Sequence, residues 1–325
     1  MSHTGRSVRC IVALIIACAT GHAVGQPAYP TKVVRVVVPF PPGGSNDIVA
    51  RFISRELTES MGQQFIVENR GGASGVIGAE AVSKSTPDGY TLMVHSTSHL
   101  SNAFSYKKLP YDTVKSFDPV ALLAAQPSVL VVHPALPVKS VKDFIALAKS
   151  RPKQLTYASN GEGGNLHVQM ALFASIANIQ LIHVPYKGGA EMATSVISGE
   201  TQSAVSTVGA ALTHIQSGRM RALGVTSARR SSILPNYPTI AESGLPGYDI
   251  NAWIGAFAPA GTPKTVVDRL QTEISKVLKR PDVAKQMMDQ GVEPWPGTQQ
   301  EFVTRIKSDM DQLQKVFRII GTPAN

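Results

Sequence analysis

The sequence is poor in reactive sulfur. Of its 325 residues only Cys10 and Cys18 are cysteine, and both fall within one apolar run near the start. A chain processed beyond that run would have none, which excludes disulfides, thiolate metal centres and a cysteine nucleophile together. Long apolar stretches are also scarce. After Cys10–Ala19 (CIVALIIACA), itself short for a membrane anchor, no segment is long and apolar enough to cross a bilayer. Basic residues outnumber acidic ones, 31 Lys+Arg against 22 Asp+Glu, for a net charge of +9. Setting aside Arg6 and Arg9 removes two cations and no acid, leaving +7. The excess is scattered, with no basic run and no interleaved aromatics. It reads as a generally positive surface suited to anionic solutes and argues against nucleic-acid binding.

Catalytic signatures are missing as well. There is no Gly-x-Ser-x-Gly elbow, no HExxH helix and no Gly-Lys-Ser/Thr phosphate loop. Gly72, Gly75 and Gly78 have the spacing of a dinucleotide turn, but no acidic residue ends a second strand about twenty residues on. His167 has no His or carboxylate at i+3 or i+4 to complete a metal pair. What remains is hydrogen-bond donors and backbone amides without a nucleophile. Binding is therefore expected rather than turnover, with no catalytic residues, no cofactor and no metal.

The first 25 residues read as a secretory signal. Arg6 and Arg9 form a positive start, Cys10–Ala19 the apolar centre, and Ala23-Val24-Gly25 before Gln26 fits the small-x-small cleavage rule. Two alternatives stand beside it. One is a buried N-terminal helix. The other is a lipoprotein box at Ile15-Ile16-Ala17-Cys18, disfavoured because Cys18 lies inside the apolar run. About 300 residues would follow, usually two domains with separate cores.

Strand and helix patterns then alternate. Val33–Val38 (VVRVVV) predicts a buried strand, and Asn46–Met61 a helix with Val49, Phe52, Ile53, Leu57 and Met61 on one face. Further strands are expected at Phe65–Val67, Thr91–His95, Val129–His133, Leu155–Ala158, Leu181–Val184 and Met220–Thr226. Helices are expected at 75–84, 141–149, 163–177 and 191–197, with amphipathic helices at Pro263–Lys279 and Thr298–Ile320. This alternation predicts an α/β fold with largely parallel sheets covered on both faces.

In such sheets ligands sit beyond the carboxyl ends of strands, where loops lead into helix N-termini. Four loops of this kind stand out. Pro39–Asp47 (PFPPGGSND) is stiffened by proline, and its glycines admit close backbone approach by an anion. Asn69–Gly78 is glycine-rich, and tight helix–strand packing explains it best. Ser159–His167 (SNGEGGNLH) supplies Ser159 and Asn160 as donors with exposed backbone at Gly161 and Gly163. His183–Ala190 (HVPYKGGA) offers Tyr186, Lys187 and Gly188, although Lys187 reads equally well as a solvated charge. The stretch Ser96–His99, including Ser98, is a fifth candidate lining.

Together these segments carry a resemblance. YPTKVVRVVVPFPPGGSNDIVAR, ENRGGASGVIGAEAVSKSTPDGYTL, LPYDTVKSFDPVALL, YASNGEGGNLH and HVPYKGGAEM follow the order seen in the Bug/TctC family of extracytoplasmic binding proteins of tripartite tricarboxylate transporters. The resemblance runs from about Tyr29 to the C-terminus. It implies a two-lobed, hinged periplasmic-binding-protein fold, with residues 26–124 and 227–325 in one lobe and 125–226 in the other. It also implies that a ligand carboxylate is held by the first strand–helix loop and by its equivalent in the second lobe, often through water. Carried over, the first loop contributes Phe40, Gly44, Ser45, Asn46 and Asp47. The second contributes Ser159, Asn160, Gly161, Gly163 and His167, and the VPYKGG motif Tyr186, Lys187 and Gly188.

Three positions depart from the family pattern. Ser195 and Gln202 stand where aspartates are usual, and Gly164 where serine is common. These changes bear on lobe packing or on the cleft wall. The resulting expectation is a monomeric periplasmic protein that captures a small organic acid for membrane permease subunits. Its rivals are a sensor subunit that presents ligand to a signalling partner and, more remotely, a cofactor-dependent enzyme using the glycine loops for phosphate.

Overall fold

A computed structural model describes residues 29–320 apart from Gly163, Lys187 and Gly188. The signal segment read from residues 1–25, and three of the candidate site residues, lie outside the described residues. The first sheet contains β1 (Val34–Val38), β2 (Phe65–Asn69), β3 (Thr91–Ser96), β4 (Phe117–Gln126), β10 (Ala252–Pro259) and β11 (Glu293–Pro294), in the order β11-β4-β10-β3-β1-β2. The second contains β5 (Ser128–Val132), β6 (Thr156–Ser159), β7 (Ile182–Pro185), β8 (Ser203–Thr207) and β9 (Arg221–Val225), in the order β7-β6-β8-β5-β9.

The valines of β1 make it a strand buried on both faces, with Val34, Val37 and Val38 fully enclosed. One face is covered by α1 (Ser45–Met61), whose Val49, Ile53 and Leu57 recur at helical spacing, and by α8 (Lys264–Leu278). On the other face lie α2 (Val76–Ser83) and α3 (Ser98–Ser105). The second sheet carries α4 (Val141–Ser150), α5 (Asn165–Ala177), α6 (Gly189–Ser198) and α7 (Val208–Gln216). After β10 come α8, α9 (Pro281–Asp289) and α10 (Gln299–Ile320).

The sheets are mixed, which corrects the expectation of largely parallel ones. β1 pairs parallel with β2 and β3, and β6 with β7 and β8. However, β10 runs antiparallel between β3 and β4, and β5 antiparallel between β8 and β9. The cause is topological: the chain leaves the first sheet and returns to it, and the strands that make these crossings run against their neighbours. The outward crossing is a single residue, Pro127, between β4 and β5. Its carbonyl accepts from the Val208 amide, 2.9 Å away.

α10 ties the two halves together. It packs on β4 and α3 of the first sheet and on α5 of the second, and Phe317 stacks on Phe104 with ring centres 5.5 Å apart. Buried carbons of both sheets and of α10 consequently form one continuous core. A second bridge is bare backbone. A Cβ placed on Gly291, in the loop after α9, would lie 2.4 Å from the Cα of Gly209 in α7.

Two expected outcomes follow from this packing. Gly291→Ala should lower stability by about 1–3 kcal/mol, because two backbones must separate. Gly218→Ala shares the left-handed φ but points into open space, so it isolates the conformational strain. Urea midpoints compare the two, and equal losses would contradict the Gly209 contact. The second outcome concerns His95 and His99, fully buried with ring centres 5.1 Å apart. Burial drives His95 well below the usual histidine value, and burial likewise holds His99 at about 4 against 6.5 when exposed. The unfolded chain therefore takes up protons first as pH falls, and stability declines from about pH 6.5 toward 4. His99 should cost roughly 1–2 kcal/mol at pH 5 and His95 adds a loss of the same sign; a urea midpoint unchanged between pH 7 and 5 would contradict the assignment.

Candidate functional site

β1 ends at Val38, and the proline-rich loop after it is held by Asp47 from the first turn of α1. The Asp47 carboxylate accepts from the Gly43 amide (2.9 Å), Arg51 Nε (3.0 Å) and Asn69 Nδ2 (2.9 Å), and Asn69 Nδ2 also donates to the Phe40 carbonyl (3.0 Å). Burial would raise the Asp47 pKa, but the hydrogen bonds from Arg51, Gly43 and Asn69 outweigh it and keep the carboxylate below its ordinary value. Asp47 thus shapes the loop from behind. Its neighbours Phe40, Gly44, Ser45 and Asn46 form the wall of the cleft.

The second loop is built in the same way. Ser159, at the end of β6, is fully buried, with Oγ 2.7 Å from His183 Nε2 and accepting from the Gly161 amide at 3.2 Å. His167 stacks on His183, ring centres 4.0 Å apart and planes within 9°, and Tyr157 packs against both, 4.9 Å from His183 and 6.2 Å from His167. Burial, then the neighbouring His183, lowers the His167 pKa to about 4, so the ring is neutral. Ser159 and His167 therefore brace the loop, and Asn160 and Gly161 face the cleft. Tyr186 joins this scaffold by donating its amide to the Ser159 carbonyl at 3.0 Å.

The departures from the family pattern fall in the lobe's interior packing. Ser195 Oγ lies 2.9 Å from Thr201 Oγ1, and Gln202 Oε1 accepts from both the amide and hydroxyl of Thr156 at 2.8 Å, tying β6 to its neighbour. Gly164 is the exception. A Cβ there would sit 2.7 Å from Asn160 Oδ1, which reaches over to the Leu166 amide at 3.3 Å.

Between the sheets lie two adjoining cavities of about 420 and 480 Å³. Their common wall is Phe40, Asn46, Gln126, Asn160, Leu166 and Thr207. Gln126 Nε2 donates to Ser45 Oγ at 2.7 Å, and Ser98 lines the smaller cavity with its Oγ 2.8 Å from Ser96 Oγ. Gln126 and Thr207 were not anticipated. Both end strands, and a strand's carboxyl end at a lobe crossing is the signal that could have found them.

The electrostatics of this cleft come from the backbone. Among the described residues, α1, α3, α5 and α7 all begin at it, behind Gly44, Thr97, Gly164 and Thr207; none of these four residues caps its helix with a side chain, although Asn160 Oδ1 takes up the Leu166 amide of α5 and the Pro127 carbonyl the Val208 amide of α7. Away from the cleft, α4 is capped by Ser140, whose Oγ accepts from the Asp143 amide at 3.1 Å, whereas α8 and α9 have no side-chain cap either. Uncapped first turns present N–H donors and partial positive charge, the arrangement that binds anions. No group of His, Cys, Asp and Glu suited to a metal ion occurs among the described residues. Nor is any described helix long and apolar enough to cross a membrane.

Comparison with known proteins agrees with this geometry. A Pseudomonas sp. (strain P51) protein, described as the UPF0065 protein in the tcbD-tcbE intergenic region, is 39% identical over 96% of this chain and 93% of its own. Protein BugT of Bordetella pertussis is 34% identical over 96% of each chain. A solved structure described as R. palustris Rpa4515 with adipate superposes with a TM-score of 0.80 at 35% identity, covering 91% of this chain and 99% of that one. A sequence profile of the family described as "Tripartite tricarboxylate transporter family receptor" matches residues 49–322. The chain belongs to that family of transporter receptors.

Proposed function

We propose that this protein is a periplasmic solute-binding receptor that closes on the carboxylate of a small organic acid and delivers it to transporter permease subunits. It acts as a monomer and catalyses no reaction, and residues 1–25 are its cleaved export signal. The lobes are proposed as residues 26–124 with 227–325 and residues 125–226, a division that the crossing at Pro127, two residues past its boundary, supports. The observation that carries the reading is the convergence of four helix N-termini, none capped by its own N-cap side chain, on one cleft between the sheets. A buried carboxylate must recover the hydrogen bonds that it made to water. Amides of the first turns can replace them, and each helix start favours an anion by about 0.3–1 kcal/mol.

Phe40, Gly44, Ser45, Asn46, Ser98, Asn160 and Gly161 then contact the ligand, with Gly163, Lys187 and Gly188 completing the second-lobe loops. Asp47, Ser159, His167 and Tyr186 position those loops from behind. The relative solved with adipate supports a carboxylate ligand. Contacts made only when both lobes meet the ligand drive closure.

Thermal shift followed by calorimetry against mono-, di- and tricarboxylates tests the proposal. At least one should raise the melting temperature and bind with one-to-one stoichiometry. Gln126→Ala, which removes an amide from the shared wall, should weaken that ligand about tenfold, the order one hydrogen bond supplies. Folded protein that responds to no carboxylate would overturn it.

A further inference from the structure

The two cavities differ in charge, and the difference points to the other end of the ligand. The 480 Å³ cavity holds the starts of α1 and α7 and has no charged side chain among its described lining residues. The 420 Å³ cavity is rich in hydroxyl and amide groups, and Glu162 is the one charged residue among its described lining. Glu162 is exposed, in the loop between β6 and α5, two residues beyond Asn160 on the shared wall. A ligand lying across that wall with its carboxylate against the helix starts places its far end in the chamber of Glu162.

A second carboxylate there meets a like charge in a confined space. An ammonium group instead donates a charge-assisted hydrogen bond to Glu162, with hydroxyls of Ser101 and Ser105 in the same lining as further acceptors. We infer that Glu162 is a specificity-determining residue that selects a dipolar ligand, a carboxylate bearing an ammonium group at its opposite end, over the matching dicarboxylate. This rests on the proposed carboxylate capture and narrows its substrate class.

Calorimetry with 4-aminobutanoate, 5-aminopentanoate and 6-aminohexanoate against succinate, glutarate and adipate tests the inference, on the parent protein and on Glu162→Gln. On the parent, the preferred amino acid should bind about tenfold tighter than its dicarboxylate partner, the order of one charge-assisted hydrogen bond. In Glu162→Gln most of that preference should vanish with the melting temperature unchanged, since the side chain is exposed. Any other carboxylate found to bind is measured on both proteins: ammonium-bearing ligands should weaken in the variant and dicarboxylates tighten. Dicarboxylates that match or outrank their partners on the parent, or a ranking unchanged by Glu162→Gln, would overturn the role of Glu162 and leave carboxylate capture standing. No binding by any carboxylate would overturn capture itself.

Discussion

An α-helix begins with backbone N–H groups that have no partner within the helix, and most proteins supply one from a nearby side chain. Here Ser140 caps α4, while the N-cap residues of the four helices that begin at the cleft supply no side-chain cap, nor do those of α2, α8 and α9 elsewhere. Much of the architecture serves this arrangement. The strands of both sheets end at the same gap, the proline and glycine loops keep side chains away from the helix starts, and the crossing at Pro127 sets the two groups of helices face to face. A surface of fixed amide dipoles suits a receptor, because it can hold a carboxylate firmly without the deep well of a buried lysine or arginine pair. Under the proposed delivery to a permease, release requires only that the lobes part.

The loops that carry these donors are held from behind. Asp47 gathers hydrogen bonds from three directions, and Ser159 with the Tyr157, His183 and His167 stack does the same in the second lobe. Such scaffolding fixes where the amides point before any ligand arrives, which limits the ordering cost of binding. α10, packed on both halves, and the Gly209–Gly291 contact restrain how the halves move relative to each other.

Much of this was legible in the sequence. The valines of β1, the helical spacing in α1 and the loops at Ser45 and Asn160 fall where periodicity and glycine placement predict. Other features were not, among them β4, β8, β10, β11, α3, α7 and α9, for which no element was expected. Val129–His133 was expected as a strand, but FDPVALLAAQ was not, and its place in the first sheet as β4 is decided by pairing with β10, far away in sequence. α3 is rich in serine and asparagine, residues that favour caps and turns, so local propensity hid it. The division of labour within each loop was hidden too. Asp47 and Asn46 are adjacent, yet one faces Asn69 and the other the cavity, and only the position of β2 determines which.

A structure of the protein with a bound carboxylate that raises its melting temperature bears on the helix-start account with the least interpretation. The carboxylate oxygens should lie about 3 Å from backbone amides in the first turns of α1 and of at least one second-lobe helix, α5 or α7. A carboxylate held instead by Arg219 at the outer mouth, or in the crevice of Arg229, Arg305 and Trp295 with the helix starts unoccupied, would contradict it.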